Sequence, residues 1–257
     1  MKEGQTLWTK DQLLLAINLY SKIPFGKMSA GNAIVKEWAL IIDRSPAAVA
    51  RKLGNFASFD PKLAERGVKG LPNVSKLDRE VWNEYMNNWD ELFIESETLL
   101  AQKKNTTIEQ LNPIELIEPK TMIGREATRQ VVVRLDQTVF RKMVLSNFND
   151  TCCITGINHP ELLIASHILP WSMDAGNRLN PRNGLALNTL HDKAFDRGLI
   201  TITEDLKIKV SSVLMNISNI QSIKDNFIAY DGKSLIEPKK FFPDVEFLKI
   251  HNGRFKV

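Results

Sequence analysis

The stretch from Thr151 to Thr203 constrains the fold of this 257-residue chain more than any other part of its sequence. Within it, the apolar run LLIAS (residues 162–166) ends at His167 and is stopped by Pro170, a pattern that predicts a short buried strand. Residues 172–183 are rich in Gly, Asn and Pro, so they predict a loop that follows this strand.

A second strand and a helix follow the loop. The short apolar run GLALN (residues 184–188) predicts the strand, and LHDKAFDRG (residues 190–198) predicts a helix that ends at its glycine. His167 then lies at the end of the first strand. Asp192 and Asp196 share one face of the helix, because residues four apart are neighbours on a helix. The stretch therefore predicts a strand–loop–strand–helix unit, in short a ββα unit.

A histidine beside a carboxylate pair is typical of metal-assisted hydrolysis. A divalent ion on Asp192 and Asp196 would hold a phosphate oxygen and stabilise the leaving alkoxide. A neutral histidine such as His167 can take the proton from an attacking water. Carboxylate oxygens favour Mg²⁺ or Mn²⁺ as the cofactor, and a nearby imidazole extends the choice to Zn²⁺ or Ni²⁺.

The whole stretch resembles the HNH endonuclease family, whose catalytic core is a ββα-metal fold. The resemblance is carried by ASHILPW (165–171), NRLNPRNGLAL (177–187) and LHDKAFDRGLI (190–200). It is closest to a restriction-type branch with an ASHI-x-PW signature, and it extends back to residues 131–156. A lone histidine, Asn-Gly pair or pair of aspartates is usually structural, but their order and spacing together favour a nuclease.

The resemblance implies a role for each residue of the motif. His167 corresponds to the general base, and Asn183 to the structural asparagine that holds the loop and orients the histidine. Asp192 and Asp196 correspond to the metal ligands. The nine positions from Asn183 to Asp192 match the family offset to the first helix ligand, which favours Asp192 over His191. His191 stays open as a metal ligand or phosphate contact, and hence as a catalytic residue.

The sequence departs from the family pattern at one position. Many members have Asp or His just before the catalytic histidine as a further ligand, and here this residue is Ser166. The departure leaves the number of protein ligands open. It also leaves open an alternative function, in which the chain is a catalytically inactive DNA-binding module with a vestigial HNH fold.

The remaining composition restricts the class of protein. No apolar run approaches the roughly 18–20 residues of a membrane span, and the N-terminus lacks the apolar core of a signal peptide, so a cytoplasmic protein without a membrane partner is expected. The only two cysteines, Cys152 and Cys153, are adjacent and cannot supply a four-cysteine zinc site. They are expected to be buried apolar residues.

The N-terminal part predicts short helices with a basic surface. Thr9 and Ser45 are predicted N-caps, and residues 77–104 predict one longer helix. Residues 1–75 contain 11 Lys and Arg against 6 Asp and Glu, a net charge of +5. The layout loosely resembles a Myb-like or helix-turn-helix module, in which Arg44, Arg51 and Lys52 would contact DNA. The alternative is a helical cap that packs on the nuclease or mediates dimerisation, which would make the chain a homodimer.

The predicted fold class is α+β, in three parts. A helical DNA-contacting domain covers residues 1–104, a linker 105–130, and an HNH nuclease domain of the ββα-metal type 131–257. Arg178 and Arg182, in the loop before the second strand, are further candidates for nucleic-acid contact. After the motif, residues 199–211 predict a hairpin, and a short helix is expected near Pro243.

The expected function is metal-dependent hydrolysis of DNA, with DNA as the partner. A role in restriction or phage defence rests on the resemblance to the branch. An RNA-directed nuclease remains a rival, because a lone ββα site grips one phosphate and does not distinguish sugars.

Overall fold

The computed structural model describes residues 6–67, 74–112, 137–170 and 173–256. The chain divides into two compact units, residues 1–139 and 140–257. The first unit is helical, and the second combines helices with two small antiparallel sheets. The apolar run VVVRL (residues 131–135), whose composition predicts a strand, lies outside the described residues. Across the part of the chain that the structure describes, no helix is long and apolar enough to cross a membrane.

The described part of the N-terminal unit forms seven α-helices. They are α1 (Lys10–Lys22), α2 (Ala33–Ile42), α3 (Pro46–Ala57), α4 (Pro61–Glu65), α5 (Lys76–Asn87), α6 (Trp89–Lys103) and α7 (Ile108–Leu111).

Local capping explains where the first helices begin. Thr9 and Gln12 form a capping box at the start of α1, in which each side chain accepts a hydrogen bond from the other residue's backbone N–H. Asn32 caps α2 through its side-chain oxygen. Ser45 caps α3, with Pro46 at the first helical position, where its missing N–H costs nothing. The predicted caps at Thr9 and Ser45 are confirmed.

Aromatic side chains form the centre of this unit. The Tyr20 ring meets the rings of Phe56 and Trp82 edge-on, at centroid distances of 6.0 and 5.7 Å.

The prediction of a single helix over residues 77–104 is wrong. The structure has two helices, α5 and α6, which are separated at Asn88, whose ψ of 55° is not helical. The apolar spacing runs through the break without interruption, so it does not reveal it.

A buried carboxylate joins α1, α6 and α7. Glu97 is 2% exposed and accepts hydrogen bonds from the side chains of Asn18, Lys22 and Asn112. The nearby cation and donors lower the pKa of Glu97, although burial opposes them and is the largest single effect. Asn112 lies in the sequence assigned to the linker, so the folded N-terminal unit extends past Lys104 to at least this residue.

The second unit holds the strand–loop–strand–helix segment. Its elements are helix α8 (described over residues 137–147), β1 (Leu163–His167), β2 (Gly184–Asn188), α9 (Thr189–Asp196), β3 (Ile200–Ile202), β4 (Ile208–Val210), α10 (Ser212–Met215), α11 (Gln221–Asn226) and α12 (Val245–Asn252). The predicted hairpin is confirmed as β3 and β4, and the predicted C-terminal helix as α12.

Strands β1 and β2 pair antiparallel, with His167 opposite Gly184. A side chain at Gly184 would have no space, since a Cβ there would lie 2.3 Å from Val144 Cγ2 and 2.9 Å from Phe140 Cζ. The glycine therefore lets α8 approach the sheet closely. The same approach places the Phe140 ring against His167, the residue paired with Gly184.

Candidate active site

His167 is half-buried at the end of β1, and two contacts orient its ring. Its Nε2 lies 2.9 Å from the carbonyl oxygen of Arg178, and Phe140 stacks on the ring with a centroid distance of 3.7 Å and an interplanar angle of 10°. Because a carbonyl oxygen only accepts hydrogen bonds, the neutral imidazole must carry its proton on Nε2. The basic lone pair is then on Nδ1.

Burial lowers the pKa of His167 below its ordinary value of 6.5. The hydrogen bond to the Arg178 carbonyl and the negative charge of Asp196 oppose this shift, but burial is the larger effect. His167 is therefore neutral at pH 7, the state that a proton acceptor needs.

Asn183 ties together the two ends of the loop between β1 and β2. The side chain is buried and accepts a hydrogen bond from the backbone N–H of Leu169 at 2.8 Å. Its amide nitrogen donates to the carbonyl oxygens of Leu169 at 3.3 Å and Asn177 at 3.1 Å. These bonds hold the loop whose residue Arg178 binds the imidazole, so Asn183 acts on His167 through the backbone.

Asp192 and Asp196 lie on α9, half-buried and exposed respectively. Burial is the main cause that raises the pKa of Asp192, and Asp196 raises it further. The Ser166 hydroxyl lies near enough to Asp192 to lower this pKa, yet it makes no hydrogen bond of regular geometry in the part of the chain described. Since Ser166 is only 3% exposed, the site holds a buried polar atom that lacks a proper partner.

The donor set is compatible with a hard divalent ion that keeps water or substrate ligands. Within the described residues, no cluster of three or more His, Cys, Asp and Glu side chains could enclose a metal. Mg²⁺ commonly binds through one or two carboxylates plus phosphates and water, and Asp192 and Asp196 meet that requirement. The raised pKa of Asp192 and the poorly satisfied Ser166 hydroxyl are both features that a cation would relieve.

The prediction that His191 serves as catalytic residue or metal ligand is wrong. Its side chain is 1% exposed, with Nδ1 3.0 Å from Asn188 Oδ1 and Nε2 2.6 Å from the carbonyl oxygen of Asn226. The ring also lies against Phe227 and Tyr230. Both ring nitrogens are thus engaged inside the core, and neither can bind a metal beside Asp192.

The two loop arginines have different surroundings. Arg178 is half-buried, and its backbone carbonyl accepts the hydrogen bond from His167. Arg182 is exposed, and its guanidinium forms an ion pair with Asp244 at 3.0 Å. Arg178 therefore has a demonstrated structural contact to the site, whereas Arg182 links the loop to the segment before α12.

Two of the three basic residues predicted to contact DNA in the N-terminal unit form an ion pair or hydrogen bonds within that unit. Lys52 is 6% exposed and forms an ion pair with Asp78 at 2.7 Å. The Arg44 guanidinium donates to the backbone carbonyls of Thr6 and Leu7 and to the Gln12 side chain. These positions correct the prediction, because the two cations are already bound within the unit.

Arg51 is the remaining basic candidate in the N-terminal unit. It lies on α3, exposed, and no carboxylate pairs with it in the described ranges.

Phe140 is the site residue that sequence reasoning missed. The apolar face of its helix was visible in the sequence, but nothing local identifies the residue that meets the histidine.

Comparison with known protein families supports a nuclease function for the C-terminal unit in general terms. Residues 152–203 match the family model described as HNH endonuclease. The C-terminal half contains an HNH domain. The match includes β1, β2 and α9, and with them His167, Asn183 and Asp192, and it supports nuclease activity in general. No curated protein matches the chain.

Proposed function

We propose that this protein is a metal-dependent endonuclease that hydrolyses DNA phosphodiester bonds, with His167 as its general base. The observation that carries the proposal is the state of His167. Its Nε2 faces the Arg178 carbonyl at 2.9 Å, its pKa is lowered, and the Asp196 carboxylate acts on it from nearby. A histidine held neutral in one tautomer beside a carboxylate pair is suited to remove a proton from water.

Asp192 and Asp196 would hold the divalent ion, with Mg²⁺ or Mn²⁺ favoured by their oxygen donors. When bound, such an ion stabilises negative charge on the phosphate and on the leaving oxygen. Burial raises the pKa of Asp192 and thereby favours its protonated form. A bound cation would act in the opposite direction and favour the ionised carboxylate. Zn²⁺ and Ni²⁺ are the alternatives, since they also accept a nitrogen donor beside the carboxylates.

His167 would accept the water proton at Nδ1 as the water oxygen attacks phosphorus. Proton transfer onto Nδ1 gives an imidazolium whose Nε2–H keeps its bond to the Arg178 carbonyl. Phe140 holds the ring plane throughout, because it covers one face of the imidazole. Asn183 keeps the loop that bears Arg178 in place, so it is a positioning residue.

The same proposal assigns the N-terminal unit to DNA binding in a restriction or defence enzyme. Arg51 on α3 supports this assignment, since it is exposed and has no ion-pair partner in the described ranges. Lys52 and Arg44 support it only indirectly, by holding α3 and the N-terminal segment in place.

Replacing Arg51 with Ala should weaken DNA binding and reduce the slope of its salt dependence by about 1.

The proposal is tested by cleavage of supercoiled plasmid DNA with Mg²⁺ or Mn²⁺, in the presence and absence of EDTA. Wild-type protein should nick or linearise the plasmid only when the metal is available. Asp196→Asn should lose activity and bind Mn²⁺ more weakly. Asp225→Asn is the matched control, since Asp225 is also exposed on a helix of this unit but lies outside the site.

Four results would each contradict part of the proposal. Cleavage that persists in EDTA would exclude the metal-dependent reaction, and equal activity of the two aspartate variants would exclude the assigned ligand. DNA binding without cleavage under every metal would favour the inactive DNA-binding module. Preferential cleavage of a matched RNA would instead identify an RNA-directed nuclease.

A further inference from the structure

We propose that Arg197, Lys209, Arg254 and Lys256 form a basic patch that binds the phosphodiester backbone of DNA beside the bond being cleaved. The inference rests on the proposed nuclease function and adds a substrate-binding surface to it. None of the four residues belongs to the predicted DNA-contacting set. They come from three separate segments of the sequence, which the fold brings together.

The C-terminal segment is anchored at the end of α9, next to the site. Gly198 adopts a positive φ of 65°, and a Cβ there would lie 2.5 Å from the carbonyl oxygen of Arg254. The backbone N–H of Lys256 donates to the Gly198 carbonyl at 3.0 Å. Because Asp196 ends α9 two residues before Gly198, this contact brings Arg254 and Lys256 close to the carboxylate site.

Lys209 joins the same surface from the β3–β4 hairpin. Its Nζ lies 5.3 Å from the centre of the Phe255 ring, between the two basic residues of the C-terminal segment. Its partner across the hairpin is Thr201, whose hydroxyl donates to the Asn252 side chain at 2.7 Å. The hairpin and the C-terminal segment are therefore held together by a cation–π contact and a hydrogen bond.

The charges of the patch are not neutralised within the described parts of the protein. All four side chains belong to exposed residues, and no carboxylate forms an ion pair with them in those ranges. Two neighbouring basic residues differ in this respect, because Lys207 pairs with Asp205 and Lys249 with Glu246. Unpaired cations that lie together attract a polyanion and release its counterions on binding.

A structural role explains only part of the patch. Arg197 caps α9, and a cation at a helix C-terminus stabilises the helix through its dipole. That effect fades beyond the last turn and does not account for Lys209, Arg254 or Lys256. The bonds that anchor the C-terminal segment are made by backbone atoms, so the Arg254 and Lys256 side chains can be changed without removing them.

The test measures how salt affects binding of a 20-base-pair DNA duplex to the full-length protein in EDTA. The variant is Arg254→Gln with Lys256→Gln. The control is Lys224→Gln with Lys239→Gln, which removes the same charge from residues without an ion pair in the described parts of this unit. The patch variant should reduce the slope of log Kd against log salt by about 0.9 for each phosphate that it no longer binds, hence about 2 in total.

The control should keep the wild-type slope, and both variants should keep the wild-type Tm. Equal slopes for wild type and patch variant, at unchanged Tm, would overturn the patch as a DNA-binding surface. An equal decrease of the slope in the two variants would also overturn it, because only overall charge would then matter.

A second substrate separates failure of the patch from failure of the nuclease proposal. Bis(4-nitrophenyl) phosphate has a scissile phosphodiester but no flanking phosphates. If the patch acts as proposed, its variant should hydrolyse this substrate at the wild-type rate. It should cleave DNA more slowly than the control at 0.05 M salt, and it should lose less activity than the control when the salt is raised to 0.2 M. Wild-type protein that cleaves neither substrate, with the slope difference intact, would refute the nuclease proposal alone.

Discussion

Three histidines of the C-terminal unit have different surroundings, and these decide what each can do. His167 has one ring nitrogen on a backbone carbonyl and lies near Asp196. His191 has both nitrogens on oxygens of the core. His251 is buried between the Thr201 hydroxyl and the Phe195 carbonyl. Only His167 combines a fixed tautomer with a position beside the carboxylates, so it is the one suited to proton transfer.

Replacing His167 with Gln should lower the rate of DNA cleavage by about 10²–10⁴-fold, the usual contribution of a general base. DNA affinity and metal affinity should change little. The wild-type rate should rise with pH through an apparent pKa below 6.5, since burial lowers the pKa of His167. The measurement is cleavage rate against pH at saturating Mg²⁺, where the variant should lack this rise.

His191→Gln provides the comparison for that experiment. This substitution should reduce the stability of the core, because the buried contacts of the ring with Asn188 and Asn226 are lost, and should leave the pH dependence of cleavage in place. A variant of His191 that abolishes the rise with pH, while His167→Gln retains it, would reverse the two assignments.

At the level of single residues, sequence spacing located part of the site and missed the rest. The nine-residue offset favoured Asp192 over His191, and the structure agrees in placing His191 in the core. The partners of His191 could not be foreseen, because Asn226 is 35 positions away and reaches it only through tertiary folding. The inward position of Lys52 likewise depends on Asp78, which belongs to a later helix.

At the level of elements, α8 supports the site through a glycine and an aromatic ring. Gly184 gives the helix room to approach β2, and Phe140 uses that approach to stack on His167. The end of β1 meets both helices. His167 stacks on Phe140 of α8, and its pKa is also affected by Asp196 of α9. Ser166, the preceding residue, lowers the pKa of Asp192 on α9.

Replacing Phe140 with Leu should reduce kcat for DNA cleavage by roughly 10-fold or more while KM stays near the wild-type value, because a misplaced catalytic group affects the chemical step. Phe56→Leu is the matched control. Phe56 is also fully buried and stacks on the Trp82 ring, but it belongs to the N-terminal unit. Both variants lose a buried ring, so both should lower Tm, and only Phe140→Leu should lower kcat. Equal effects on kcat would assign Phe140 to packing alone.

Helix starts were the most predictable elements, because capping depends on neighbours within three residues. Thr9 with Gln12, and Ser45 with Pro46, show this directly. The break between α5 and α6 escaped prediction, since Trp82, Tyr85 and Trp89 continue the apolar spacing across it. The short helix α7 escaped because its order depends on Asn112 reaching Glu97, fifteen positions earlier.

For the whole molecule, the buried histidines of the C-terminal unit create a sensitivity to acid. Burial lowers the pKa of His167, His191 and His251 in the C-terminal unit, and that of His251 falls to about 4. In the unfolded chain these groups would have pKa values of about 6.5. Between these values the native state binds fewer protons than the unfolded state. The buried histidines therefore do not reduce the free energy of unfolding above about pH 6.5. As the pH falls from there toward 4, they lower it progressively.

His251 alone should account for about 3 kcal/mol of this loss by pH 4, since each unit of pKa difference corresponds to about 1.4 kcal/mol. The variant His251→Gln removes the titrating group, while its side-chain amide can still donate to the Phe195 carbonyl. Its free energy of unfolding should be lower than wild type at pH 7. It should then fall by about 2–3 kcal/mol less than wild type between pH 7 and pH 4.5.

The two cysteines allow this loss to be measured in the C-terminal unit alone. Cys152 and Cys153 are both buried there and are the only thiols of the chain. Their reaction with 4,4′-dithiodipyridine in increasing urea reports unfolding of this unit, and the reagent is usable across the acidic range. Parallel pH dependence in wild type and His251→Gln would show that His251 is not the group responsible. A smaller dependence in the variant would place the acid sensitivity at the contact between α9, β3 and α12.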